Sequence, residues 1–265
     1  MLAVVLCGCA PVMNATLREM ERSRQTSLAK IAPLDAVELE VFLIERPSGD
    51  PMTGNVLWQE LDQISSVDPV TRDRLRSNGL RFGIAGTSLP YALSGLTSTP
   101  HDQGAGDRTN RQVYTAPSGA AHEFSCGELP SPVIIRHSTP GGMRPQEYLT
   151  AKGLFRCRVA RSQPGWVELD VVPEIHHGVR KLRPEANDVS WSFVGGQEVE
   201  ALYGERFRVG LNIGESLVLG PVRDKPETVG DRFFRIDSRG APLEKLIVIR
   251  VRSTEQVAAD SARGG

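Results

Sequence analysis

The sequence is short of net charge, lysine and long hydrophobic runs, and each shortage bears on its function. The formal net charge is −1, which gives no electrostatic reason to expect a nucleic-acid partner. Lysine occurs at only five positions, so arginine supplies nearly all of the positive charge. That bias is more typical of a GC-rich genome than of a phosphate-binding surface. After the first ten residues, no stretch approaches the roughly 18 apolar residues of a membrane-spanning helix.

The remaining composition is ordinary. The chain has 265 residues, of which 40% are hydrophobic and 24% are charged, as in a soluble globular protein. This length fits one large domain or two small ones.

The most informative local pattern lies at the N-terminus. The first ten residues are almost entirely apolar and include Leu6-Cys7-Gly8-Cys9. This pattern resembles the lipobox of bacterial lipoproteins, an apolar residue and two smaller ones before a cysteine that becomes lipidated. The resemblance implies that residues 1–9 form a signal-like segment ending in the lipidated Cys9. The protein would then be held on a membrane by its acyl chains.

A secretory signal also begins with basic residues, but the first basic residue here is Arg18. The lipoprotein interpretation therefore expects a misplaced start codon and a basic segment upstream. The alternative is a buried N-terminal strand with two ordinary cysteines. Ala10 is not the aspartate that retains many lipoproteins on the inner membrane. The expected location is therefore the cell envelope, facing the periplasm, with the outer membrane favoured.

The remaining chain divides into a tether, two folded segments and a tail. Residues 10–34 carry a ragged helical pattern among charges, which indicates a solvated tether. Residues 35–98 show a strand, two helices, a strand and a helix, the pattern of a small α+β domain. Residues 99–111 are too polar to pack and indicate a linker. Residues 112–253 predict a β-rich domain, and residues 254–265 a disordered tail.

The fold class predicted is thus α+β, a small N-terminal α/β unit followed by a mainly antiparallel, sandwich-like β-domain. Within the β-domain, residues 155–159 and 167–171 predict a hairpin around Gln163-Pro164-Gly165. Residues 207–213 and 217–219 predict a second strand and its return around Gly214-Glu215.

Four segments of the β-domain resemble the C-terminal domain of bacterial secretins, the ring-forming outer-membrane channels. They are residues 152–154, 167–175, 207–213 and 214–220, and they span about a quarter of the chain. The resemblance implies an envelope protein that acts with other envelope proteins.

The sequence shows no pair of long amphipathic hairpins that could span a bilayer. We therefore expect an anchored, non-enzymatic scaffold or protein-interaction module. The first alternative is a homo-oligomeric subunit of a secretin-like ring.

Two cysteines lie in the β-domain, Cys126 and Cys157. In an oxidising compartment they could form one disulfide. The alternative, which the sequence favours, is two small buried hydrophobic residues, because a fold of this size does not need a disulfide.

The sequence Glu174-Ile175-His176-His177 suggests a metal site. On a regular strand Glu174 and His176 share one face and His177 takes the other, so the two histidines cannot bind one ion. A third ligand is needed, and the sequence shows none at a recognisable spacing. The favoured interpretation is a strand end with solvated polar residues. The second alternative function is an envelope hydrolase or metal-binding protein that uses these residues.

Other motifs are incomplete. His122-Glu123 begins like a zinc-protease motif, but Cys126 stands where the second histidine is required. Trp166 lies on the charged side of its strand and is the best candidate for an exposed aromatic residue, although most such residues pack under a neighbour. Because no catalytic set or cofactor loop is complete, the sequence predicts a protein that is not an enzyme and holds no cofactor.

Overall fold

The computed structural model describes residues 35–98, 108–139, 141–186, 191–236 and 242–256. Cys9, the predicted signal-like segment and the predicted tether at 10–34 lie outside the described residues. Within these ranges the chain is built mainly from β-strands, with a few short helices, which confirms the predicted fold class.

The described residues form two large sheets and one hairpin sheet. Their strands are β1 (Asp35–Pro47), β2 (Leu80–Ala85), β3 (Arg108–Pro117), β4 (Ala121–Glu128), β5 (Val133–Thr139), β6 (Gly142–Tyr148), β7 (Lys152–Gln163), β8 (Trp166–Ala186), β9 (Trp191–Ala201), β10 (Phe207–Asn212), β11 (Ser216–Pro221), β12 (Arg235–Ile236) and β13 (Leu243–Gln256). One sheet has the order β2-β11-β13-β1-β3, with β12 on β13; the other has the order β10-β8-β7-β4, with β9 also on β8. The third sheet contains β5 and β6. Every pair of these strands is antiparallel.

Alternation along the strands builds the core of a β-sandwich. Alternate apolar residues of β1, β11 and β13 share one buried cluster with alternate residues of β7, β8 and β10. The period of two places these side chains on the inner faces of both large sheets and leaves charged residues on the outer face of the β8 sheet. The predicted hairpin of β7 and β8 is present in this sheet.

A second buried cluster covers the other face of the six-stranded sheet. The α-helices within the described ranges are α1 (Asn55–Glu60), α2 (Pro69–Ser77), α3 (Tyr91–Ser98) and α4 (Val229–Phe234). Leu57 and Trp58 of α1, with Leu93 of α3, pack on Phe42 and Val248 of the sheet. Asp68 accepts a hydrogen bond from the Thr71 N–H at 2.9 Å, which caps the N-terminus of α2.

None of the helices in the described ranges is both long and apolar enough to cross a lipid bilayer. The longest of them, α2, has nine residues.

The predicted boundaries between segments need correction. Strand β1, from the predicted 35–98 domain, pairs with β13 and β3 from the later segments, and β2 pairs with β11. Residues 35–256 therefore form one compact unit, not two domains. The predicted linker 99–111 is also too long, because β3 begins at Arg108. The predicted tail at 254–265 begins too early, because β13 continues to Gln256.

The second predicted hairpin is wrong as well. Strand β10 pairs with β8 in one sheet, whereas β11 pairs with β2 and β13 in the other. The turn at Gly214 has a positive φ of 88°, and its N–H donates to the carbonyl of Val251. A glycine is suited to this backbone conformation. The turn carries the chain from one sheet to the other.

Candidate functional site

The neighbouring residues His176 and His177 lie on opposite faces of β8, as strand periodicity predicts. His176 is buried beside Glu174 on the outer face, with its Nε2 atom 3.2 Å from Glu174 Oε2. His177 packs edge-on against the ring of Tyr148, at 5.1 Å between ring centres. The two histidines therefore belong to two separate polar clusters.

The cluster around His176 contains a third metal-ligating residue. Ligand atoms of Glu123, Glu174 and His176 all lie within 4.8 Å of one another. Glu123 is exposed on β4, whereas Glu174 and His176 are buried. Sequence spacing does not connect Glu123 with the pair, because β4 lies two strands from β8 in the sheet. We call Glu123, Glu174 and His176 the triad.

The guanidinium group of Arg156 also contacts the triad. The Nε atom of Arg156 on β7 lies 2.5 Å from Glu174 Oε1. The hydrogen bond to this carboxylate raises the pKa of Arg156. Glu174 thus uses one oxygen for Arg156 and turns the other towards His176. Without any ligand, this arrangement already satisfies the buried carboxylate.

The cluster around His177 is a hydrogen-bond network. Glu200 accepts hydrogen bonds from the Tyr148 hydroxyl at 2.9 Å and from the Gln146 amide at 3.2 Å. His137 lies 3.7 Å from the same carboxylate. Burial raises the pKa of Tyr148, as do the hydrogen bond and the negative charge of Glu200. The network ties β5 and β6 to β9.

A further ion-pair group lies on the outer face of the β8 sheet. Asp170 accepts hydrogen bonds from Arg158 at 2.8 Å and from two nitrogens of Arg206, at 2.6 and 2.7 Å. Burial alone would raise the pKa of Asp170, but the bonds from Arg206 and Arg158 outweigh it and lower the pKa. The charges on this face therefore pair with each other across the strands, which is typical of a structural surface.

The other residues singled out in the sequence have structural roles. The ring of Trp166 covers Gly210 on the next strand, where a Cβ would come within 2.8 Å of the ring nitrogen. His122 lies on a β-strand, not on a helix, and packs against Tyr114.

Both described cysteines, Cys126 and Cys157, are free and buried. On the paired strands β4 and β7, the residue opposite Cys157 is His122, four positions from Cys126. This offset exceeds the reach of a disulfide. Burial raises the pKa of each thiol to about 12, so both remain protonated, inert side chains of the core.

A cavity of about 180 Å³ among the described residues lies elsewhere, beside Cys126 and Lys245. Its lining includes no member of the triad. No family model, curated protein or solved structure matches the chain.

Glu205 has a buried carboxyl group that no sequence motif marks. It is fully buried in the turn between β9 and β10. Its Oε1 atom accepts a hydrogen bond from the Ser138 N–H at 3.3 Å, and its Oε2 atom has no partner among the described residues. Burial raises the pKa of Glu205 to about 7.

This pKa predicts how stability depends on pH. The native protein holds a proton on Glu205 more tightly than the unfolded chain does, so protonation of Glu205 stabilises the native state. This stabilisation is complete below about pH 4.5 and is lost as pH rises through about 7. The loss is on the order of 3 kcal/mol. Glu205→Gln should remove this loss and make the protein more stable than the wild type above neutral pH. Urea unfolding of both proteins between about pH 4 and pH 8 measures the free energy of unfolding at each pH.

The matched control is Glu60→Gln, which changes an exposed carboxylate on α1. We expect this variant to keep the pH profile of the wild type. If the stability of Glu205→Gln depended on pH in the same way as that of the wild type, the raised pKa of Glu205 would be contradicted.

Proposed function

We propose that this chain is a lipid-anchored protein-interaction module of the bacterial cell envelope, without enzymatic activity. Two features support it, the lipobox-like sequence ending at Cys9 and the shape of the β8–β9 hairpin. The observation that carries the proposal is the hairpin.

The part of this hairpin that follows His177 on β8 extends beyond the strands β7 and β10, which flank the earlier part of β8. Strand β7 pairs with β8 only as far as His176, and β10 pairs with an earlier part of β8. Among the described strands, the residues after His177 pair only with β9. We call residues 178–186 and 191–196 the arm. A two-stranded ribbon is only marginally stable alone, so a second protein surface would stabilise it.

The arm and its base carry exposed apolar side chains. Val179 is 75% exposed and Leu182 is 73% exposed on β8, and Leu149, whose carbonyl accepts from the Gly178 N–H, is 59% exposed. Large apolar side chains that are exposed on an element extending from its sheet are candidates for contact with a partner protein.

The charge of the arm indicates what kind of partner it fits. Arg180 and Lys181 lie between Val179 and Leu182, and the Lys181 Nζ atom is 3.2 Å from Glu198. The exposed guanidinium of Arg180 donates only to the Gly195 carbonyl in the described structure. The expected partner is therefore another envelope protein with an apolar surface and an acidic rim.

A photo-crosslinking amino acid at Leu182 tests the proposal in cells. We expect one defined product of this chain with a different envelope protein. The matched control position is Val70, which is 76% exposed on α2, away from the arm. Equal crosslinking at both positions, or none at Leu182, would refute a docking role for the arm. A product of two copies of this chain would instead favour the alternative of a ring subunit.

A further inference from the structure

The triad brings three potential metal-ligating side chains together at one place in the sheet. Glu174 and His176 are only 4% and 8% exposed and are fixed on the same strand, and Glu123 reaches them from β4. Carboxylate oxygens and an imidazole nitrogen are all ligands for first-row transition metals. We propose that Glu123, Glu174 and His176 bind a divalent transition-metal ion, with Zn²⁺ as the best-fitting ion. This inference is independent of the interaction function proposed above.

The ligand distances fit this ion. In a tetrahedral zinc site with bonds of about 2.0–2.1 Å, neighbouring ligand atoms are about 3.3 Å apart. The His176 Nε2 and Glu174 Oε2 atoms are 3.2 Å apart. The third ligand atom, on Glu123, lies within 4.8 Å of both. Since Glu123 is exposed, its carboxylate can close this distance by a rotamer change, and the open side admits water as the fourth ligand.

The charges are also compatible with a metal ion. Two carboxylates and a neutral imidazole carry a charge of −2, which a divalent cation balances. Arg156 holds the Oε1 atom of Glu174 and leaves the Oε2 atom directed at His176. Ligating carboxylates are commonly oriented by hydrogen bonds of this kind. The positive charge of Arg156 lowers the affinity below that of a site without it, and we expect binding in the micromolar range.

The ion would tie β4 to β8 across β7. Because the unfolded chain does not hold the three ligands together, metal binding should stabilise the native protein. The thermal unfolding midpoint should therefore rise with added Zn²⁺.

The test is a calorimetric titration of the full purified chain with Zn²⁺, together with thermal unfolding in the presence of zinc or a chelator. We expect one ion per chain. His176→Gln should weaken binding at least about tenfold, since removing a ligand costs more than removing its outer hydrogen-bond partner. The zinc-dependent shift of the unfolding midpoint should disappear with it. Glu123→Gln changes an exposed residue, so it should weaken binding even if the buried His176 variant does not fold.

His177→Gln is the matched control, because His177 is the next residue along β8 and faces the other way. It should bind Zn²⁺ like the wild type. The proposal is overturned if the wild type binds no zinc at millimolar concentration, if His176→Gln and Glu123→Gln bind as tightly as the wild type, or if His177→Gln loses binding equally.

Discussion

Replacing Cys9 by serine should move this protein from the membrane fraction to the soluble fraction of the cell. The reason is the size of the anchoring energy. Each buried methylene contributes roughly 0.8 kcal/mol, so two or three acyl chains hold a protein on a membrane almost irreversibly. Serine lacks the thiol to which the proposed lipid would be attached. Fractionation of cells that express the native gene with its natural upstream sequence measures the change.

Cys7→Ser is the matched control for this experiment. Cys7 lies two residues earlier, inside the predicted signal-like segment, where a small residue is sufficient. The control protein should stay in the membrane fraction and carry acyl chains detectable by mass spectrometry of its N-terminal peptide. A wild-type protein recovered without lipid, with residues 1–10 intact, would contradict the anchor and favour a buried N-terminal strand.

Phe233→Ala should destabilise the folded protein by about 3–5 kcal/mol, the usual cost of removing a fully buried phenylalanine. The ring of Phe233 is 1% exposed and packs edge-on against Phe155, with 5.7 Å between ring centres. It also lies directly over Gly153, where a Cβ would come within 2.5 Å of it. Because Gly153 is held in the middle of the sheet, the backbone cannot move in to fill the cavity.

Urea or thermal unfolding measures this loss, and Val70→Ala provides the comparison. Val70 is 76% exposed on α2, so its truncation should change the free energy of unfolding by less than about 0.5 kcal/mol. A Phe233→Ala protein as stable as Val70→Ala would show that α4 does not hold the core of the sandwich.

The local elements were largely predictable because their signals are local. The strand patterns of the sequence predicted β7, β8 and β10. The pairing of strands was not predictable in the same way. Gly214-Glu215 reads as a tight hairpin turn, yet β10 and β11 belong to different sheets. A turn residue permits a change of direction but does not determine which strand comes next to it.

The same limit applies to the triad. Strand periodicity correctly placed Glu174 and His176 on one face of β8 and His177 on the other. The third residue could not be found by spacing, since Glu123 precedes Glu174 by 51 positions and approaches it only because β4 and β8 both flank β7.

The amino-acid sequence thus determined the elements of this protein, the faces that they bury and the N-terminal pattern from which an anchor is proposed. Only the tertiary structure decided that residues 35–256 are one unit, that Cys126 and Cys157 stay apart, and that Glu123 meets Glu174 and His176. The physical reason is that propensity and periodicity act over a few residues. Sheet order is decided by which buried faces fit together across the whole chain.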